Sequence, residues 1–177
     1  NQSEVTHQYS NTGIYEIRIK GDITGWYFNN AGDDDKITEI SSWGPLRFVD
    51  NDNSIFRSCS NLTLTATDSL TLGTNNAYQL FRYARILGSD GDMNSWDTSA
   101  CTSLYLTFAD ATGFNQPVGN WDTSNVTNMN NMFGYYYISP MIFNQNIGNW
   151  DVSNVTDMYR MFGKCTSFNN GGSPSIS

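Results

Sequence analysis

"NWDTSNVTNMNNMF", Asn120–Phe133, and "NWDVSNVTDMYRMF", Asn149–Phe162, are close copies of one another. A reacting site is needed once in a chain, whereas a structural module is needed as often as it is stacked, so the repetition reads first as scaffold. Val126, Met129, Met132 and Phe133 recur as Val155, Met158, Met161 and Phe162. Their spacing of three to four predicts a short helical or 3-10 turn with one buried side. Asp122 and Ser124, like Asp151 and Ser153, stand just upstream, where short polar side chains satisfy free backbone N–H groups. The preceding "FNQPVGNW" and "FNQNIGNW" read as a brief strand and a tight turn, kept irregular by Pro117. In that reading Asn115, Asn144 and Asn169 stack into a hydrogen-bonding ladder.

Working outward, the register extends towards the N-terminus. Phe162 is followed by Cys165 and Phe168, Phe108 by Ala111 and Phe114, Phe81 by Ala84 and Leu87, and Phe56 by Cys59 and Leu62. Phe133 belongs to the set, but the insertion "GYYYISPM" delays its next aromatic to Phe143. The phenylalanines stand 25, 27, 25 and 29 residues apart, and Trp96, Trp121 and Trp150 keep the same beat. A period in the twenties with recurring apolar positions is the mark of a chain whose units bury their faces against their neighbours. Cys59 and Cys165 fill the slot of Ala84 and Ala111, and Cys101 that of Val126 and Val155. All three therefore read as buried free thiols.

These residues carry a family resemblance. "FNQPVGNWDTSNVTNMNNMF" and "FNQNIGNWDVSNVTDMYRMF" resemble the bacterial surface-protein repeat of about twenty-six residues. "IFRSCSNLTL" resembles the related BspA-like leucine-rich repeat. The resemblance runs from about residue 50 to 170 and weakens in "TSACTSLYLT", after Phe133, and before about residue 90. It implies an α+β repeat solenoid, a leucine-rich-repeat-like right-handed coil of short strands and short helical turns, serving attachment or recognition on a cell or particle surface. It implies no catalytic residues.

The front end reads differently. In "GIYEIRIKG" Ile14, Glu16, Arg18 and Lys20 alternate with Tyr15, Ile17 and Ile19, the two-residue period of a strand. With "HQYSNTG" before it, the stretch resembles the last hairpin of a polycystic-kidney-disease-type β-sandwich. The expected organisation is a β-hairpin cap over residues 1–30, a solenoid of about five units over 31–170, and a flexible tail over 171–177. His7, the single histidine, belongs to the hairpin motif and reads as a packed residue, not a catalytic base.

The formal charge of −8 and the absence of any Lys or Arg run exclude a nucleic-acid backbone and an anionic membrane surface as partners. No stretch is long and apolar enough to span a bilayer. With no starting Met and no signal peptide, the chain reads as a mature or trimmed fragment. Asp33-Asp34-Asp35, the Asp50–Ser54 run and the set Asp90, Asp92, Asn94 offer alternate oxygens as calcium candidates. They lack the Gly and Glu of a calcium loop, so solvated loops are the simpler reading. Asn61, Asn125 and Asn154 head glycosylation sequons, of which the last two are the repeat template itself. Glutamate occurs at positions 4, 16 and 39, outside the array, and no nucleophile, phosphate-loop or metal constellation is complete. The expectation is no enzyme and no cofactor. Tyr135, Tyr136 and Tyr137 interrupt the repeat and form the candidate binding loop, with packing back on the array as the alternative. The resulting reading is a non-enzymatic surface protein, extracellular, on a cell surface or on a virion, whose partner is a protein or glycan. The rival is an assembly component that packs on copies of itself or on other subunits, such as a virion decoration, fibre or filament.

Overall fold

The computed structural model describes residues 9–19, 22–23, 28, 32–48, 53–75, 77–134 and 140–173. Successive segments, each one repeat long, lie side by side and run parallel. Phe28, Phe56, Phe81, Phe108 and Phe133 each donate the backbone N–H to the carbonyl just before the next phenylalanine: Ile55, Leu80, Thr107, Met132 and Met161, at 2.9–3.0 Å. Two residues earlier the pattern repeats, with Ser54, Gln79, Leu106 and Asn131 donating to Tyr78, Tyr105, Asn130 and Tyr159.

The intervening N–H groups turn inward instead. Arg57, Arg82, Ala109 and Gly134 donate three residues back, to Ser54, Gln79, Leu106 and Asn131. Cys59, Ala84, Ala111 and Cys165 do the same to their phenylalanines. Each phenylalanine therefore sits in a run of β-turns whose alternate donors reach the neighbouring segment. Such a run needs left-handed residues at fixed places, and they are present. Ser54, Gln79, Leu106, Asn131 and Arg160, two before each phenylalanine, have φ of 51–59°. Ser58, Tyr83, Asp110 and Lys164, two after, have φ of 60–69°. None is glycine, the residue that ordinarily fills this region.

This geometry corrects the expected α+β solenoid. Among the described residues regular structure amounts to four strands of two residues and two 3-10 turns of three. The strands are β1 (Asp22–Ile23), β2 (Glu39–Ile40), β3 (Arg47–Phe48) and β4 (Thr63–Leu64), paired in parallel as β1·β3 and β2·β4. The turns are Met93–Ser95 and Asn170–Gly172. The chain is not a leucine-rich-repeat-like coil of strands and helices. The physical reason lies at the left-handed positions: each stops a helix after a single turn, and the donors sent back within the turns are lost to a β ladder.

The N-terminal hairpin is corrected as well. Residues 9–19 carry no strand, and Ile14 is 93% exposed. Asp22–Ile23 already pairs with Arg47–Phe48, and Phe28 packs 6.3 Å from Phe56, so the first layer starts inside the stretch assigned to a cap. His7 lies outside the described residues. The expected tail starts in ordered structure: the Asn170 side chain accepts the Ile147 N–H, and Gly171 and Gly172 close the second 3-10 turn.

The core is a set of ring files. Phe56, Phe81, Phe108, Phe133 and Phe162 stack at 5.4–5.8 Å with planes 2–11° apart. Phe114, Phe143 and Phe168 form a second file at 5.7 and 5.9 Å. The two files meet face to face, Phe108 on Phe114 and Phe133 on Phe143, both at 3.8 Å. Offset stacking at these separations is favourable beyond the area it buries. Met129, Met132, Val126 and Leu104 are buried in the same core.

Candidate recognition surface

The repeated residues can be read one letter at a time. Trp96, Trp121 and Trp150 form one stacked file at 6.0 and 6.4 Å, and Trp43 meets its end edge-on. The Trp121 and Trp150 indoles donate to the Met93 and Val118 carbonyls, each one segment back. Asp97, Asp122 and Asp151 each accept the N–H of the serine two residues on, a local turn that needs no metal. The side-chain hydrogen bond from Ser124 holds the Asp122 carboxyl below its usual range, and Ser153 does the same for Asp151. Asn125 and Asn154 donate their side-chain amides to Ser99 and Ser124 of the preceding segment, as Asn61 does to Asp35. Thr102, Thr127 and Thr156 donate their hydroxyls to Thr74, Thr102 and Thr127 in turn. The motif is a set of clamps between neighbours.

The asparagine ladder takes a particular form. The Asn115 side-chain oxygen accepts the Asn144 N–H, and that of Asn144 accepts the N–H groups of Asn169 and Gly171. Gly119 sits against the next segment so closely that a Cβ there would collide with the Asn146 carbonyl.

The calcium candidates have other employment. Asp92 caps the Met93–Ser95 turn by accepting the Asn94 N–H, and the Asn94 side chain accepts the Asn120 N–H. Asp90 is exposed, Asp33 pairs with Lys36, and Asp50 and Asp52 lie outside the described residues. Among the described residues no cluster of three His, Cys, Asp or Glu could hold a metal. Cys59, Cys101 and Cys165 are buried and free, and burial pushes each thiol up to about 12. The proposed loop residues Tyr135, Tyr136 and Tyr137 lie outside the described residues, so their placement adds nothing to either reading.

A different outward strip emerges from the register. Three residues before each phenylalanine stand Asn53, Tyr78, Tyr105, Asn130 and Tyr159, none of them fully buried. Tyr78 and Tyr105 stack at 5.1 Å, and Asn130 donates to the Asp157 carboxylate. Beside them the Arg82 guanidinium donates to the Gln79 side-chain oxygen and to the Tyr83 hydroxyl and lies 4.7 Å from the Tyr83 ring centre. Asp110 is buried two residues past Phe108, where burial raises its carboxyl against the opposing pull of Arg82 and Arg85. Beyond residue 50 every cation, namely Arg57, Arg82, Arg85, Arg160 and Lys164, falls within four residues of a file phenylalanine. Of the acids beyond residue 50, Asp52 and Asp110 stand equally close to a file phenylalanine, and Asp68, Asp90, Asp92, Asp97, Asp122, Asp151 and Asp157 fall elsewhere. Tyr78, Tyr83, Tyr105 and Tyr159 thus share with these five cations a position close in sequence to the file phenylalanines. Periodicity alone hid this strip because its residues vary; only alignment on the phenylalanines brings them into a column.

The chain matches the protein family described as "Mycoplasma protein of unknown function, DUF285" over residues 22–133 and again over 75–174, and it belongs to that family. The second match begins about two repeats after the first, as tandem repetition of one unit requires. No curated protein and no solved structure matches the chain.

Proposed function

We propose that this protein is a non-enzymatic, surface-exposed recognition protein whose partner is a protein or a glycan on another surface. One observation carries the reading: the repeated residues clamp neighbouring segments together, while the column at Asn53, Tyr78, Tyr105, Asn130 and Tyr159 is partly to fully exposed and varies. A scaffold whose constant letters are used internally leaves its outer column open to specialise. Tyrosine suits such a column, since it offers a large contact area and a polar tip at low entropic cost. Arg82, braced by Tyr83 and Gln79, adds a fixed donor fork. The resemblance of residues 50–170 to bacterial surface-protein repeats points the same way and supports a position outside the cell or on a particle. The test is attachment of beads coated with the protein to candidate cells, before and after Tyr78→Ser and Tyr105→Ser. Lost attachment with an unchanged circular dichroism spectrum supports the reading, and attachment indifferent to both changes refutes it.

A second reading, an assembly component, is favoured by one specific observation. The two chain ends carry most of the large apolar side chains that the described residues leave exposed.

A further inference from the structure

The phenylalanine file sets two arginines side by side. Phe56 and Ser58 donate their N–H groups to the Leu80 and Arg82 carbonyls at 3.0 and 2.7 Å, and the Phe56 and Phe81 rings stack at 5.4 Å. Arg57, directly after Phe56, therefore stands in register with Arg82, directly after Phe81. Residues in register on neighbouring extended segments project to the same side. Arg85 follows three residues on, and Arg82 and Arg85 both act electrostatically on the Asp110 carboxyl of the next segment. Two neighbouring segments of a chain with a formal charge of −8 thus carry three guanidiniums.

Arg57 is the member with an unmet need. It is partly buried, and its Nε is shut away from solvent without a hydrogen bond. A guanidinium that has lost part of its hydration without gaining an acceptor holds an incoming oxyanion more firmly than a fully exposed one, because screening is weaker there. Its planar fork matches a carboxylate or sulfate. Arg82 is fixed by its bonds to the Gln79 side-chain oxygen and the Tyr83 hydroxyl, and Arg85 is exposed. Asp110, itself buried, sets one negative charge against these three positive ones. The backbone adds no donors, since Arg57, Ser58, Arg82, Tyr83 and Ala84 all commit their N–H groups within the array. A peptide added as a strand would find those donors taken, whereas an acidic sugar needs side chains alone.

We propose that Arg57, Arg82 and Arg85 form a binding site for the acidic group of a glycan, a sulfate ester or a carboxylate. The guanidiniums take the oxyanion, and the partly exposed Tyr83 ring beside Arg82 offers the sugar an apolar surface with a polar tip. The overall negative charge of the chain works against loose attraction to polyanions, so binding that does occur comes from a local cluster. The inference rests on the recognition reading and narrows its partner to an anionic glycan.

The test is surface plasmon resonance of the 177-residue chain over immobilised dextran sulfate, polygalacturonate, unmodified dextran and polyglutamate. The expected result is binding to dextran sulfate, to polygalacturonate or to both, weakening as salt rises, with none to dextran and far less to polyglutamate. The first two surfaces tell sulfate from carboxylate. Arg57→Gln and Arg85→Gln should each weaken binding about tenfold with the circular dichroism spectrum unchanged. Arg57→Lys, which keeps the charge but not the fork, should retain part of it. Arg160→Gln, three segments further along the file, should leave it intact. Absence of binding to both acidic polysaccharides, or binding indifferent to Arg57→Gln and Arg85→Gln, overturns the proposal. Polyglutamate held as tightly as dextran sulfate overturns it in favour of an acidic peptide. Cell attachment that survives Arg57→Gln and Arg85→Gln but not Tyr78→Ser and Tyr105→Ser overturns this site and leaves the recognition reading standing.

Discussion

Removal of one ring from the phenylalanine file gives the sharpest measure of how the segments share their stability. Phe133 is fully buried, with Phe108 and Phe162 on its two sides at 5.7 and 5.8 Å and Phe143 face to face at 3.8 Å. Phe133→Ala should cost about 3–5 kcal/mol, the usual range for a buried phenylalanine. Phe162 carries the same side chain but lies half-buried, with file neighbours on one side. Phe162→Ala should cost roughly half as much, about 1.5–2.5 kcal/mol. Urea titration followed by tryptophan fluorescence reads the difference. With a slope of about 2 kcal/mol/M, the midpoint should fall by about 2 M for the interior change and about 1 M for the edge change. If Phe133→Ala leaves too little native protein, Phe133→Leu keeps most of the volume and should cost under about 1.5 kcal/mol. Equal losses at the two sites, or a larger loss at Phe162, would refute nearest-neighbour burial as the source of order.

Other consequences can be checked with the same titration. Asp122, Asp151 and Asp157 have carboxyls depressed by hydrogen bonds, chiefly from Ser124, Ser153 and Asn130 respectively. Their stabilisation is complete above the unfolded carboxyl value near 4 and is lost as pH falls through the lower folded values, so the midpoint should drop below about pH 4; a flat profile from pH 6 to 2.5 would contradict this. Asp110 has the opposite sign: burial raises its folded value, so its contribution is favourable below the unfolded value and declines as pH rises. Asp110→Asn, which tolerates the left-handed backbone, should raise the midpoint at pH 7 and lose its advantage near pH 3; destabilisation at pH 7 would argue against it. Asn125→Asp replaces a donor to the Ser99 carbonyl with an acceptor at an exposed position and should cost about 0.5–1.5 kcal/mol at pH 7, recovering partly in acid. No change at neutral pH would remove that clamp from the account. Because Cys59, Cys101 and Cys165 are buried with thiols pushed to about 12, a thiol reagent at pH 8 should find none in the native protein and all three in denaturant.

The ring files were legible because Trp96, Trp121, Trp150 and the phenylalanines are large, few and evenly spaced, so a single register accounts for them. The backbone that carries them was not. Val126, Met129, Met132 and Phe133 recur at helical intervals, yet a run of β-turns also brings every third or fourth residue inward. The discriminating feature is the left-handed pair flanking Phe56, Phe81, Phe108 and Phe162. Gly or Asn throughout would have announced it, but only Asn131, before Phe133, is of that kind. Instead Gln79, Tyr83, Leu106, Arg160 and Lys164 occupy those places, held there by cross-segment bonds such as Gln79 N–H to the Tyr105 carbonyl. Non-glycine residues in this region carry a local penalty of order 1–3 kcal/mol that only the surrounding lattice of bonds offsets. Ile14, Ile17 and Ile19 misled in the other direction: alternation predicts a strand, but residues 9–19 carry none. The tyrosine column escaped notice because nothing in it recurs except its distance from Phe81, Phe108 and Phe162.

The register survives an interruption. Between Phe133 and Phe143 the chain has four residues more than between Phe108 and Phe114, yet Phe143 lies as close to Phe133 as Phe114 does to Phe108. Past the extra residues Met141 and Ile142 again bond to Lys164 and Thr112 on either side. Length at that corner is thus decoupled from the stacking of Phe133 on Phe143. Evolution can lengthen, shorten or rewrite the stretch without moving those two rings apart, and an engineer could graft a foreign peptide there on the same terms.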